Sequence, residues 1–244
     1  MSDLLTVCWK EVRELLHQSG SVGRTLRNLA FMLAVFGVFL PWEFGRALVD
    51  SPAALLPWVW VPFMLVSGVV ADSFAGERER HTLETLLASR LPDDAILLGK
   101  VITAALYGWG FALVSAAIGL ATVNVTHAEG TLLLYPPELL VGLVVFGLLG
   151  SLLMATAGVL VSLRAATTRQ AAQTLSLAIV GLLFVPIVAL QLLPGTVRLA
   201  LVRFVAGLDM PLTASLAAIG LIAADMVLLG LALARFRRAS LLLD

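Results

Sequence analysis

The residues of this chain that could do chemistry are concentrated in one charged stretch. Ten charged residues fall within positions 71–100, in a chain of 244 residues that is 60% hydrophobic and only 13% charged. Acidic and basic side chains alternate there, a pattern typical of a solvated surface that can pair with charges on a partner. We call residues 71–100 the charged segment.

Motifs for enzymatic chemistry are missing from the sequence. His17, His81 and His127 lie in three separate polar stretches, and Cys8 is the single cysteine, so neither a metal-ligating cluster nor an internal disulfide is expected. The sequence contains no G-x-x-x-x-G-K-[ST] phosphate loop and no H-E-x-x-H or G-x-S-x-G motif. We therefore expect no catalytic, cofactor-binding or metal-binding residue, and no enzymatic activity, in this chain.

Asp225 is a polar residue of a different kind, because it lies near the middle of the last apolar run. An acid at that depth is costly unless it is protonated, paired or hydrated, so it marks a functional or a structural site. It could carry a proton in a proton-coupled transporter, or it could hydrogen-bond to Thr174, Ser176 or Gln191 and fix the helix register. No second buried acid or histidine is available for a proton relay, which favours the structural interpretation.

Six apolar runs must position these residues, and each is near the ~20 residues that a bilayer requires. They cover residues 28–49, 53–71, 98–123, 139–163, 172–193 and 212–234. The mean hydropathy of the chain is +1.00, which leaves too few polar residues to cover a soluble globule. The sequence predicts an all-α integral membrane protein, with an N-terminal interfacial region at residues 1–23 and a six-helix transmembrane domain at residues 24–244.

The basic residues predict the orientation of these spans. All but three of the 16 Lys and Arg residues lie before the first span, between spans two and three, between spans four and five, or after span six. The exceptions are Arg46, Arg198 and Arg203. The positive-inside rule therefore places both termini and the charged segment in the cytoplasm. The net charge of zero gives no basic surface for nucleic acid, and the mixed-charge N-terminus does not suggest a cleavable signal.

Two stretches outside the six runs are predicted to lie at membrane surfaces. Residues 3–18 form an amphipathic helix in the headgroup plane with Trp9 as an anchor; Leu5, Cys8, Trp9, Val12, Leu15 and Leu16 share its apolar face, and Lys10, Glu11, Arg13, Glu14 and His17 lie opposite. Residues 194–211 are too short and too charged to span, so they form an outer interfacial or re-entrant helix. Near the outer end of the first span, residues 41–43 should kink, break or end that helix.

The charged segment itself is predicted to form a helix followed by a turn. Leu83, Leu86 and Leu87 share one helical face, while Glu77, Arg80, His81 and Glu84 line another. Pro92 ends this helix, and Asp93 or Asp94 caps the next one. Residues 72–98 would then be a stiff lever between spans two and three.

This pattern resembles the membrane subunit of type-2 ATP-binding-cassette (ABC) exporters. The resemblance rests on an acid at the end of a span, a Gly-Glu-Arg, a Thr-Leu-Glu-x-Leu-Leu core, a proline turn and a Leu-Gly-Lys; the matching residues are Asp72, Gly76, Glu77, Arg78, Thr82, Leu83, Glu84, Leu86, Leu87, Pro92, Leu98, Gly99 and Lys100. His81 departs from it, because the family usually has glycine before the Thr-Leu-Glu.

The resemblance implies a permease that moves substrate only when a separate cytoplasmic ATPase subunit drives it. The charged segment would be the coupling helix that docks on that subunit, through Glu77, Arg78, Arg80, His81, Thr82, Leu83, Glu84 and Leu87. ATP would bind to the partner, and no cofactor is expected in this chain. A second copy of the permease, most simply as a homodimer, and the plasma membrane complete the expected assembly. A proton-coupled transporter using Asp225, a membrane scaffold or assembly factor, and a haem-exporter subunit are the alternatives.

Overall fold

The computed structural model describes residues 2–17, 22–51, 55–127 and 130–236, and these residues form helices without any strand. In chain order the helices are α1 (Ser2–His17), α2 (Val22–Leu33), α3 (Leu40–Phe44), α4 (Ala47–Asp50), α5 (Leu55–Ser73), α6 (Ala75–Glu79), α7 (Leu83–Leu87), α8 (Asp93–His127), α9 (Pro137–Arg164), α10 (Thr168–Leu192), α11 (Gly195–Ala206) and α12 (Met210–Arg235). A π-helical turn, Ala34–Phe39, joins α2 to α3.

Five stretches of helix among the described residues are long and apolar enough to cross a membrane. They are Gly23–Phe44, Asp93–His127, Pro137–Arg164, Thr168–Leu192 and Met210–Arg235. The chain is therefore a multi-pass membrane protein. The predicted second span, 53–71, corresponds to the 19-residue helix α5, which is not among these five and whose predicted first residue, Ala53, lies outside the described residues.

The helices α5, α8 and α9 pack most closely and form the centre of the bundle. Small residues let their backbones approach: a Cβ atom added at Gly158 of α9 would lie 2.1 Å from Val70 of α5, and one at Gly108 of α8 would lie 2.4 Å from Val66 of α5. Both valines are fully buried. The small residues of the fourth predicted span thus serve close packing within the protomer.

The first span ends early, as its Pro-Trp-Glu sequence predicts. Pro41 lacks the N–H that would bond to the Gly37 carbonyl in an α-helix, and the Thr122 hydroxyl donates to that carbonyl at 2.9 Å instead. The α-helix then stops at Phe44, because Gly45 adopts a φ of 54° that favours glycine. The predicted continuation to Val49 is wrong, since 47–50 form the separate short helix α4.

The helices α10, α11 and α12 lie at the periphery and leave most of their apolar side chains exposed. The helix α11 occupies the predicted non-spanning segment 194–211. The exposed side chains of α10, α11 and α12 form a broad apolar surface. Only lipid or another membrane protein can cover a surface of this kind.

The N-terminal helix α1 is present, but its faces are used differently from the prediction. Val7, not assigned to the apolar face, is buried against α8, where a Cβ at Gly99 would lie 2.5 Å from the Val7 side chain. Trp9 is 72% exposed, as a membrane anchor would be before lipid covers it. Lys10 and Glu11, predicted on the face opposite the apolar one, bond to residues of the charged segment. Residues 18–21 lie outside the described chain.

Candidate coupling site

The charged segment begins at a break between α5 and α6 that one serine of α9 holds together. The backbone N–H groups of Phe74 and Ala75 both donate to the Ser162 hydroxyl, at 3.1 and 3.0 Å. The same hydroxyl donates to the Ala71 carbonyl at 3.2 Å. Ser162 is fully buried, so these bonds satisfy backbone groups that water cannot reach. Ser162 therefore stabilises the break between α5 and α6.

Immediately after this break, Glu77 of α6 lies in a buried cluster of ion pairs. Its Oε1 atom accepts from Lys100 Nζ of α8 at 2.9 Å and from Lys10 Nζ of α1 at 2.9 Å. Lys100 also donates to Glu11 at 2.8 Å and to the Ser73 carbonyl at 3.0 Å. The side chains of Lys100 and Glu77 are only 2% and 4% exposed. We call Lys10, Glu11, Glu77 and Lys100 the ionic cluster; it joins α1, α6 and α8.

The charges of the ionic cluster stabilise one another. Burial alone would raise the pKa of Glu77, but the nearby Lys100 and the hydrogen bonds from both lysines outweigh it and hold that pKa below its ordinary value of 4.5. Burial would lower the pKa of Lys10, yet Glu11, Glu77 and Glu14 together raise it. Both groups are therefore charged at neutral pH. The Lys100 ammonium also lies 5.2 Å above the ring of Phe74.

Three carboxylates of this region, those of Glu11, Glu14 and Glu77, lie close enough to share a metal ion, with oxygens within 4.8 Å of one another. The ammonium group of Lys10 lies among them, 3.3, 3.2 and 2.9 Å from their oxygens. The chain thus supplies its own cations here, and the carboxylates act as ion-pair partners.

Two further residues of α6 fasten it to the connection between α9 and α10. The Arg78 guanidinium donates to the backbone carbonyls of Ala165 and Leu163. Glu79 accepts from the N–H and the hydroxyl of Thr168, at 3.2 and 2.8 Å. The helix α6 is therefore fixed on one side by the ionic cluster and on the other by the start of α10.

The prediction of a single helix before Pro92 is wrong, because the chain turns between α6 and α7. His81 adopts a φ of 57°, the region in which glycine is favoured. This is the position at which the sequence departs from the resembled pattern, where glycine is expected. Arg80 forms an ion pair with Asp72, at 3.0 Å. Gly76 permits that pair, since a Cβ there would lie 2.0 Å from Asp72 Oδ1.

The predicted coupling residues therefore fall into two groups. Glu77 and Leu83 are buried, and Arg78 is partly buried on backbone carbonyls. Those that remain exposed are Arg80, His81, Thr82 and Glu84. Leu87 belongs to α7, although its side chain is outside the described set. Arg80 and Thr82 of the exposed group line a cleft of about 690 Å3 between α1 and the charged segment, with Leu15 and Leu86 also in its wall.

Sequence reasoning missed the role of four residues in holding the charged segment. The sequence predicts Lys10 and Glu11 only on the face opposite the apolar one, predicts no contact for Glu79, and shows Lys100 only as part of a motif. Lys100 did carry a signal: it is a cation within an otherwise apolar helical run, and such a residue is buried only with a partner.

Asp225 does not have the hydrogen bonds that the structural interpretation predicts. It is 4% exposed, and neither carboxylate oxygen has a hydrogen-bond partner among the described residues. Thr174 donates instead to the Gln170 carbonyl of its own helix. Among the described residues, Asp225 is therefore not hydrogen-bonded to any of the three partners that its sequence context suggested.

Comparison of the sequence with known protein families gives a match. The family model described as "ABC-2 family transporter protein" matches residues 62–241, which include α5 from residue 62 onwards, the charged segment and every helix after it. No curated protein matches the chain at a significant level. Because the family match covers most of its length, the chain belongs to the ABC-2 family of transporter proteins.

Proposed function

We propose that this chain is the permease subunit of an ABC exporter in the plasma membrane, driven by a separate cytoplasmic ATPase. The family supports a permease, and the function of such a subunit requires a surface through which ATPase motion reaches the spans. The observation that carries the proposal is the arrangement of the charged segment, which is fixed to three parts of the bundle and yet keeps Arg80, His81, Thr82 and Glu84 exposed.

The two sides of this segment have different tasks. The exposed turn and α7 form the surface that contacts the ATPase, because their charges have not all been used within the protomer. The other side of α6 transmits the displacement. A push on α6 acts on α1 and α8 through the ionic cluster, on the end of α9 through Arg78 and on the start of α10 through Glu79. The charged segment thus acts as the lever, with its fixed points inside the protein.

The membrane architecture of the proposal has six spans and two copies of the chain. The helix α5 serves as the second span because it packs along α8 and α9 and is buried at Val61, Val66 and Val70. The helices α10 and α12 present the apolar surface that faces lipid or the second copy. Both termini lie in the cytoplasm, as the basic residues predict.

One observation favours a second candidate, a stand-alone proton-coupled transporter. Asp225 is buried, and neither of its carboxylate oxygens has a hydrogen-bond partner among the described residues. Burying an acid in this way costs free energy, so its presence favours a role in transport. That candidate gives no role to the ionic cluster or to the exposed face of α7. The remaining alternatives, a scaffold or assembly factor and a haem-exporter subunit, do not explain why Asp225 is buried.

Co-expression with a cassette ATPase from the same genome distinguishes these proposals. We expect the ATPase to co-purify with the chain in detergent and its hydrolysis to depend on the chain in liposomes. If the chain transports substrate when only a proton gradient is supplied, without any ATPase, the second candidate is supported and the first is overturned. A chain that binds a partner and yet moves no substrate in either assay would support a scaffold.

A further inference from the structure

The helix α11 is amphipathic, and the large apolar side chains described on it are exposed in the protomer. Val197, Leu201 and Phe204 share one face at i, i+4 and i+7 spacing, and they are 43%, 38% and 67% exposed. Among its described side chains, the large apolar Leu199 lies on the other side of the helix. A face of this kind in a membrane protein needs a partner that is itself apolar.

Two arginines flank this face. Arg198 and Arg203 lie on opposite sides of it, both are exposed, and neither forms an ion pair within the described chain. The helix contains no acidic residue, so it carries two uncompensated positive charges. They are also two of the three basic residues on the outer side of the proposed topology, where the positive-inside rule disfavours them.

The connections of α11 fix its depth. Two residues, 193–194, join it to α10, and three residues, 207–209, join it to α12. The helices α10 and α12 have 25 and 26 residues, which gives each a length of about 38 Å and exceeds the ~30 Å hydrocarbon core. Their outer ends therefore reach the lipid headgroups, and α11 must lie at that level.

We propose that α11 lies on the outer leaflet and binds anionic phospholipid through Arg198 and Arg203, while Val197, Leu201 and Phe204 enter the acyl-chain region. Arginine matches this position, because its long stem can follow the apolar surface while its guanidinium donates to phosphate oxygens. Charge complementarity selects an anionic lipid surface over a neutral one. The proposal uses the membrane topology of the proposed function but is independent of ATPase docking.

A fluorescent reporter on α11 tests this proposal in the full-length chain. The environment-sensitive label is placed at Leu201→Cys in a Cys8→Ser background, and the protein is assembled into nanodiscs of phosphatidylcholine alone or of equal parts phosphatidylcholine and phosphatidylglycerol. We expect phosphatidylglycerol to shift the emission to shorter wavelength and to favour the lipid-bound state roughly tenfold, given the attraction of each arginine to an anionic surface. High salt should weaken the shift.

Arginine variants assign the effect. The double variant Arg198→Gln/Arg203→Gln should lose the phosphatidylglycerol dependence, and Arg198→Lys/Arg203→Lys should keep most of it, since lysine retains the charge. Arg46→Gln is the matched control, because Arg46 is outside α11 on the same side and its Nε donates to the His127 carbonyl. Equal shielding of the label in both lipid mixtures would show a helix re-entrant or covered by protein, and equal quenching by iodide would show a hydrated one. Either result, or persistence of the lipid effect in the Gln variant, overturns the proposal.

Discussion

At the scale of single residues, Glu77 and Lys100 form an ion pair whose two side chains are almost completely buried. A buried ion pair is weak evidence for stability, but loss of one partner leaves an uncompensated charge in a site that water cannot reach. Lys100 has two carboxylates and a backbone carbonyl around it, so its removal disturbs α1 and α6 together. The ionic cluster therefore specifies which elements meet, more than it adds to net stability.

The first prediction is that removal of one charge costs far more than removal of both. We expect Glu77→Gln or Lys100→Met alone to reduce the free energy of unfolding by about 3 kcal/mol. The double variant Glu77→Gln/Lys100→Met should recover much of this loss, because no buried charge of the pair is left without its partner. Thermal unfolding in detergent, followed by tryptophan fluorescence, measures all three. Additive losses would mean that the two side chains act independently.

The second prediction concerns pH. The pKa of Glu77 in the folded chain is below its ordinary value of 4.5, so the unfolded chain binds its proton first as the pH falls. The stability that Glu77 contributes is therefore complete above about pH 4.5 and is lost as the pH falls through the folded pKa. Lys10 has the opposite sign: its pKa is raised, and its contribution is lost only at strongly alkaline pH.

The difference in melting temperature between wild type and Glu77→Gln measures this. It should be constant from pH 6 to pH 9 and should shrink below about pH 4.5. The charged groups that face Glu77 are those of Lys10, Glu11 and Glu14 on α1 and Lys100 on α8, with the Asp72–Arg80 pair beside them. A difference that changes between pH 6 and pH 8 would mean that another titrating group controls the cluster.

At the scale of elements, the N-terminal helix is part of the coupling site because it packs on α8 without a gap. Gly99 is the contact point, and the β-branched Val7 that lies against it has little freedom to rotate away. Cys8 Sγ lies 3.8 Å from the Gly99 carbonyl in the same contact. If this contact is lost, Lys10 and Glu11 move away from Glu77 and Lys100.

The third prediction follows from that contact. Gly99→Ala should lower thermal stability by about 1–3 kcal/mol, because the new Cβ would lie 2.5 Å from Val7 Cγ1. Gly110→Ala is the control on the same helix, where a Cβ meets nothing within 4 Å and alanine should be neutral or stabilising. Melting temperatures of the two variants should thus move in opposite directions. Equal behaviour would place α1 away from α8 in the membrane.

The elements differ in how far the sequence predicts them. Apolar runs, Pro92 and the proline at residue 41 are local signals, so α8, α9, α10 and α12 and the early end of the first span could be predicted within a few residues. The break at His81 is also local, but a histidine in that conformation is uncommon and the helical periodicity on either side hides it. The ionic cluster could not be predicted in this way, because Lys100 and Glu77 are 23 residues apart and Lys100 and Glu11 are 89 apart.

At the scale of the whole molecule, the basic connections gather at one end of the bundle. The ionic cluster, the contacts of Arg78 and Glu79 with the connection after α9, and the packing of Phe74 against Phe236 after α12 bring them together. Arg46 lies at the other end, bonded to the carbonyl of His127. The described basic residues that the sequence assigns to one side of the membrane thus lie at one end of the bundle in the structure.

The fourth prediction is the topology that this segregation implies. A cysteine at Ala88, in a Cys8→Ser background, should react with a membrane-impermeant reagent only after the membrane is opened. A cysteine at Thr131 should react in intact cells. Both positions are exposed in the protomer, so access of the reagent depends on the membrane alone. Reaction of both from the same side would remove the six-span arrangement.

The central claim is that the exposed face of the charged segment holds the ATPase, and the affinity of the ATPase for charge-reversed variants tests it most directly. Glu84 of α7 and Glu138 at the other end of α9 are both exposed and lie outside the buried cluster, so Glu84→Lys and Glu138→Lys should fold alike. We predict that Glu84→Lys weakens binding of the ATPase at least tenfold, about 1.4 kcal/mol, and that Glu138→Lys binds as wild type does. Equal affinity of both variants and wild type for the ATPase would contradict the account.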